Sequence, residues 1–145
     1  MIHAAIARDL LALLCGAQGA GTLAIDLNRT HASNSEWTPH ARFHLVWQVV
    51  SYALLSVLGV ALVLTPGGLS EERFYLAATL ASIPMLSCFV AFLFRKIYGG
   101  ALLDSNGIQP VRVNALGTRL QIDMNLAVEG AALLVLGAIV VLIRS

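Results

Sequence analysis

Charge is scarce in this sequence. Only 12% of its 145 residues are Asp, Glu, Lys or Arg, where a soluble domain devotes about 25% to them, so water is not the principal solvent of the fold. The nine basic residues are scattered and leave a net charge of +1. No basic stripe or run of the kind nucleic acid binding requires is present, and no nucleic acid partner is expected. Cysteine is scarce as well. Cys15 and Cys88 each fall inside an apolar run, where a small hydrophobe fits and where two thiols make neither a disulfide framework nor metal-ligand spacing.

What remains is largely apolar: 58% of the residues are hydrophobic and the mean hydropathy is +0.80. The apolar residues gather in four segments, at about residues 4–25, 40–64, 74–94 and 122–143. A helix needs roughly 20 such residues to cross the hydrocarbon core, and in lipid a helix satisfies its own backbone, whereas a closed barrel would need many more strands. The expected fold is all-α, a four-helix transmembrane bundle in which residues 1–145 form a single integral membrane domain with membrane lipids around it. The first segment also fits a secretory signal peptide, with small residues from Gly16 to Gly21 as a cleavage region. Arg8 beside Asp9, and Leu14 before Cys15, favour an anchored helix. Gly16, Ala17, Ala20 and Gly21 suit close helix approach. Pro84 interrupts the third segment and calls for a compensating donor from Ser82, Ser87 or a neighbouring helix.

Four crossings place the first and third loops on one face and both termini on the other. Arg29, Arg42, Arg95, Lys96, Arg112 and Arg119 fall on the first face, and only Arg8, Arg73 and Arg144 on the second. The positive-inside rule makes the six-charge face cytoplasmic. Asn28-Arg29-Thr30 matches a glycosylation acceptor but lies too near the membrane, and on the wrong face, to serve as one.

The chemistry-bearing stretch is 26–44, which joins the first two segments and holds three of the four histidines, His31, His40 and His44. Thr38 and Pro39 suit the cap and first turn of a helix, so the second segment starts there. His40, His44, Trp47, Gln48 and Ser51 then follow one another at helical spacing as a polar stripe. Hydrogen bonding between helices is the plainer role for Gln48 and Ser51. In the fourth segment Gln121, Asn125 and Glu129 recur every four residues, following Asp123 in the same region. Glu129 lies about 10 Å along the helix, at hydrocarbon depth, where an ionisable side chain marks a functional site by default and a protonated strut is the bland alternative. Topology brings Asp26, His40, His44, Gln48, Asn125 and Glu129 to similar depth. Trp37, Phe43, Trp47 and Tyr98 lie near that end, as an interfacial belt or as pocket walls.

The pattern Asp26, Asn28, Thr30, His31, Asn34, Trp37 and then Pro39-His40-Ala41-Arg42-Phe43-His44 resembles the signature of a family of small, mostly uncharacterised four-span membrane proteins of fungi and bacteria. The family pattern has a proline shortly after the second asparagine, where this chain has Ser35. The resemblance is specific over residues 26–44 and implies no particular reaction. A looser likeness, in architecture alone, is to four-span sterol isomerases, which keep acids, histidine and tryptophan in an intramembrane cavity.

Three functional readings follow. The first is an intramembrane acid–base enzyme, an isomerase or terpene cyclase type, acting on an apolar isoprenoid or sterol-like ligand. A carboxyl group in hydrocarbon holds its proton more readily than one in water, so Glu129 is the candidate donor and His40 or His44 the acceptor, with Asp26 and Asn125 completing the catalytic set. Trp37 and Trp47 would face a developing carbocation, and Gln48, His31, Asn34 and Asn28 would bind substrate. No cofactor is required. The second reading uses His40 and His44 with His31 and either Asp26 or Glu129 to hold zinc or iron. The third is non-enzymatic: a lipid-binding or transport protein, or an assembly subunit.

Overall fold

The computed structural model describes residues 2–67, 70–103, 109–115 and 118–145. Four helices dominate: α1 (Ile2–Asp26), α2 (Pro39–Leu64), α3 (Ser70–Phe94) and α4 (Met124–Leu142). Thr38 accepts a hydrogen bond from the Ala41 N–H and Pro39 occupies the first turn, so α2 begins where its cap and its missing donor require. Asp123 caps α4 in the same way, accepting from the Leu126 N–H at 3.0 Å.

The helices form a ring: α1 packs on α2, α2 on α3, α3 on α4 and α4 on α1, with α1 also touching α3 across the middle. The α1–α2 approach depends on small residues. A Cβ on Gly19 would come within 2.6 Å of Ser56 Cβ, and one on Gly59 within 2.9 Å of Cys15 Sγ. α3 runs unbroken through the buried Pro84. In the turn that this proline loosens, Gln18 of α1 donates to the Ala81 carbonyl at 3.2 Å.

The bundle differs between its two ends. Ala7, Leu11, Cys15, Val63, Phe74, Ala77, Met85, Leu136 and Ile139 make a tight apolar core toward the end that carries the termini. At the other end that core stops and polar side chains take its place. Outward-facing Leu13, Leu54, Val57, Leu134 and Val141 are each about two-thirds exposed or more, a surface that water would not tolerate. Three helices, α2, α3 and α4, are long and apolar enough to cross a membrane. α1 matches them in length with 25 residues, but it carries Arg8, Asp9, Gln18, Thr22 and Asp26.

The expectation of an all-helical fold needs one correction. Loop three contains an antiparallel pair, β1 (Val111–Ala115) and β2 (Thr118–Ile122), with Val113 opposite Leu120 and Asn114 opposite Arg119. Val-Arg-Val-Asn-Ala and Thr-Arg-Leu-Gln-Ile both alternate, which is the period of a strand. The expected fourth segment began at residue 122, but Ile122 belongs to β2 and the helix starts two residues later.

Candidate functional site: a polar chamber opening between two helices

Where the apolar core stops, residues of all four helices line an open cavity of about 550 Å³. α1 contributes Gln18, Thr22 and Asp26, one turn apart on a single face; α2 contributes Gln48 and Tyr52; α3 contributes Ser87 and Cys88; α4 contributes Asn125 and Glu129. His31 enters from loop one, and Arg95 and Tyr98 from the turn after α3. Glu129 sits about 8 Å along α4 from Met124. Inside the wall, Gln48 reaches the Tyr52 hydroxyl at 3.4 Å. Arg95 lies 4.1 Å from the Phe92 ring centroid and donates to the Phe92 carbonyl.

A second cavity of about 430 Å³ lies between α1 and α4. Its walls are mostly apolar, with Leu14, Ala17, Gly21, Ile25, Met85, Val128 and Ala132, but it shares Gln18, Thr22, Asp26, Asn125 and Glu129 with the first. The polar chamber and the apolar side cavity are therefore neighbours, with Glu129, Asn125 and Asp26 lining both. A further cavity near the termini, about 380 Å³, sets Arg8 and Glu71 beside Ala4, Ala5, Val63, Phe74 and Ile143.

Loop one is a scaffold for His31. Asn28 donates through Nδ2 to the Ala24 carbonyl at 3.3 Å, which turns its Oδ1 toward Thr30. That oxygen accepts from the Thr30 N–H at 2.8 Å and from the Thr30 hydroxyl at 2.6 Å. The hydroxyl proton is thereby committed, so in the 2.7 Å contact with His31 the ring Nδ1–H donates to Thr30 Oγ1. A neutral His31 then carries its lone pair on Nε2, which faces Asp26 Oδ1 at 3.9 Å. Asp26 is the last residue of α1. The buried Asn34 ties the loop together, donating to the Thr30 carbonyl and accepting from the Glu36 N–H. The Trp37 ring meets the His31 ring edge-on at 5.6 Å.

Of the expected site residues, Asp26, His31, Gln48, Asn125 and Glu129 converge on the chamber. Asn28, Asn34 and Trp37 do not line it; they build the loop that aims His31. His40, His44 and Trp47 are exposed near the start of α2. The His40 and His44 Nε2 atoms are 3.1 Å apart, and the His44 ring lies against Trp47 with centroids at 5.8 Å. Gln18, Thr22 and Tyr52 were not anticipated, although each is a polar residue within an apolar run. Among the described residues no three His, Cys, Asp or Glu side chains gather as a metal-ligand set. Comparison with protein-family models, with curated proteins and with solved structures finds no match.

Proposed function

We propose that this chain crosses the membrane four times and draws an isoprenoid or sterol-like lipid sideways between α1 and α4, where it transfers a proton at the lipid's inner end. The observation that carries this reading is the set of five polar residues shared by the polar chamber and its apolar side opening. An amphiphile with a small polar end matches such a space, and the two volumes lie in the range of small-molecule sites. α1 counts as the fourth crossing because it is as long as the others, and its polar residues Gln18, Thr22 and Asp26 face the chamber rather than lipid.

Glu129 is the proton donor in this scheme. The acceptor is His31 rather than His40 or His44, because His31 lines the chamber with Nε2 unprotonated and Asp26 beside it to stabilise the imidazolium. Asn125 and Gln48 hold the polar end of the ligand. Trp47 and Phe43, 60% and 62% exposed, belong to the interfacial belt. Loops one and three face the cytoplasm, where their six basic residues are favoured. A lipid held and released unchanged in the same chamber is the carrier reading, and turnover separates the two.

Gly21→Leu tests the side opening. Gly21 lines it, and a Cβ there meets nothing within 4 Å, so a leucine enters the space without disturbing the helices. Wild-type protein extracted with its native lipids should retain an isoprenoid or sterol-class lipid detectable by mass spectrometry, and Gly21→Leu should lose it at unchanged thermal stability. Equal retention in both would remove the lateral route.

A further inference from the structure

The hairpin of β1 and β2 has no place in the chamber's chemistry, yet its two faces differ sharply. In register, Val111 pairs with Ile122 and Val113 with Leu120, and paired residues of an antiparallel ladder share a face. All four apolar side chains are open, at 46%, 40%, 37% and 49% exposure. The alternate positions put Arg112 opposite Gln121 and Asn114 opposite Arg119 on the other face. Among the described residues the two strands pack extensively only on each other, not on a helix. An apolar face left open in this way needs a cover.

Position decides what covers it. Only the cap residue Asp123 separates Ile122 from Met124, where α4 begins, and α4 is long and apolar enough to cross a membrane. The hairpin therefore lies at the level of the lipid headgroups. Its second face carries two arginines, on the membrane face that also holds Arg29, Arg42, Arg95 and Lys96.

We propose that the hairpin is a membrane-surface anchor: Val111, Val113, Leu120 and Ile122 lie in the boundary between headgroups and acyl chains of an anionic leaflet, while Arg112 and Arg119 reach back to its phosphates. Long cationic side chains snorkel in this manner, and amphipathic surface elements combine buried apolar area with attraction to anionic lipid. The proposal rests on α4 entering the bilayer at Met124 and is independent of any proton chemistry in the chamber.

The test uses the full chain reconstituted in vesicles of equal parts phosphatidylcholine and phosphatidylserine, with chains brominated near the headgroup. Leu120→Trp and, on the same face, Val113→Trp are compared with Gln121→Trp, after subtracting the parent signal of Trp37 and Trp47. Emission from positions 120 and 113 should be quenched by the brominated lipid and emission from 121 by acrylamide in the water. Quenching of all three by acrylamide would overturn the proposal. So would shielding of 120 and 113 from both quenchers, the result expected if the face is covered by the bundle itself or by a second copy. Arg112→Gln and Arg119→Gln should each weaken association with the anionic leaflet by about five-fold at low salt. Lipid quenching that ignores both substitutions and persists unchanged in pure phosphatidylcholine would overturn the anionic part of the proposal.

Discussion

Replacing Gly19 by alanine should loosen the contact on which the chamber's α1 wall depends. The new Cβ would sit 2.6 Å from Ser56 Cβ and 2.8 Å from Ser56 Oγ, about 1 Å inside ordinary carbon contact. Ser56 is buried and its Oγ has no hydrogen-bond partner among the described residues, so no rotation of a long side chain relieves the overlap. The helices must part. Overpacking of this kind costs about 1–3 kcal/mol, offset by up to about 1 kcal/mol because alanine favours a helix over glycine. The net loss is about 1–2 kcal/mol, or several degrees in the unfolding midpoint of detergent-purified protein. Ser56→Gly in the same chain removes the colliding Cβ and should restore most of the stability, since the helix propensities of the exchanged residues nearly cancel. A Gly19→Ala protein as stable as wild type, or a double variant no better than the single, would refute the packing on which Gln18, Thr22 and Asp26 are placed.

Two further outcomes are expected. Nitrogen NMR of protein labelled only at histidine should show neutral His31 protonated at Nδ1, and Thr30→Val, which keeps the shape of the side chain but removes the acceptor, should shift that ring toward a mixture of tautomers while leaving His3, His40 and His44 unchanged. An Nε2-protonated neutral His31 in the wild type would reject His31 as the proton acceptor. For topology, a reporter fused after Ser145 and one inserted between Pro66 and Ser70 should report the same side of the membrane. Opposite sides would leave α3 or α4 uncrossed.

The helices were legible because apolar runs long enough to span a membrane are a strong signal, and Thr38-Pro39 marks the start of α2 by chemistry that needs no tertiary context. The hairpin was written in the sequence as clearly, in the alternation of residues 111–115 and 118–122, but two five-residue strands are a weak pattern beside long apolar runs. Glu129, Asn125 and Gln48 stood out as polar residues within apolar segments, and the same signal was present in Gln18, Thr22 and Tyr52. The stripe from His40 to Ser51 shows the limit. Helical spacing tells which residues share a side of α2, not where the neighbouring helices end. Gln48 lines the cavity together with residues of α1, α3 and α4, and His44 and His40, one and two turns earlier, do not. The roles of Asn28 and Thr30 depended on hydrogen-bond directions, which spacing cannot supply.

The central claim is that Glu129 and His31 move a proton on a lipid drawn into the chamber, and solvent deuterium reads that step directly. Purified protein in vesicles made from a total extract of cellular lipids is incubated in D₂O, and the lipids are then analysed by mass spectrometry. One isoprenoid or sterol-class lipid should gain deuterium at carbon. Glu129→Gln, which keeps volume and hydrogen bonding but has no proton to deliver, should slow that gain by about 10²–10⁴-fold, with His31→Gln similar and the double variant little worse than either single. Wild-type and Glu129→Gln protein incorporating deuterium equally, or a bound lipid that gains none, would contradict the account.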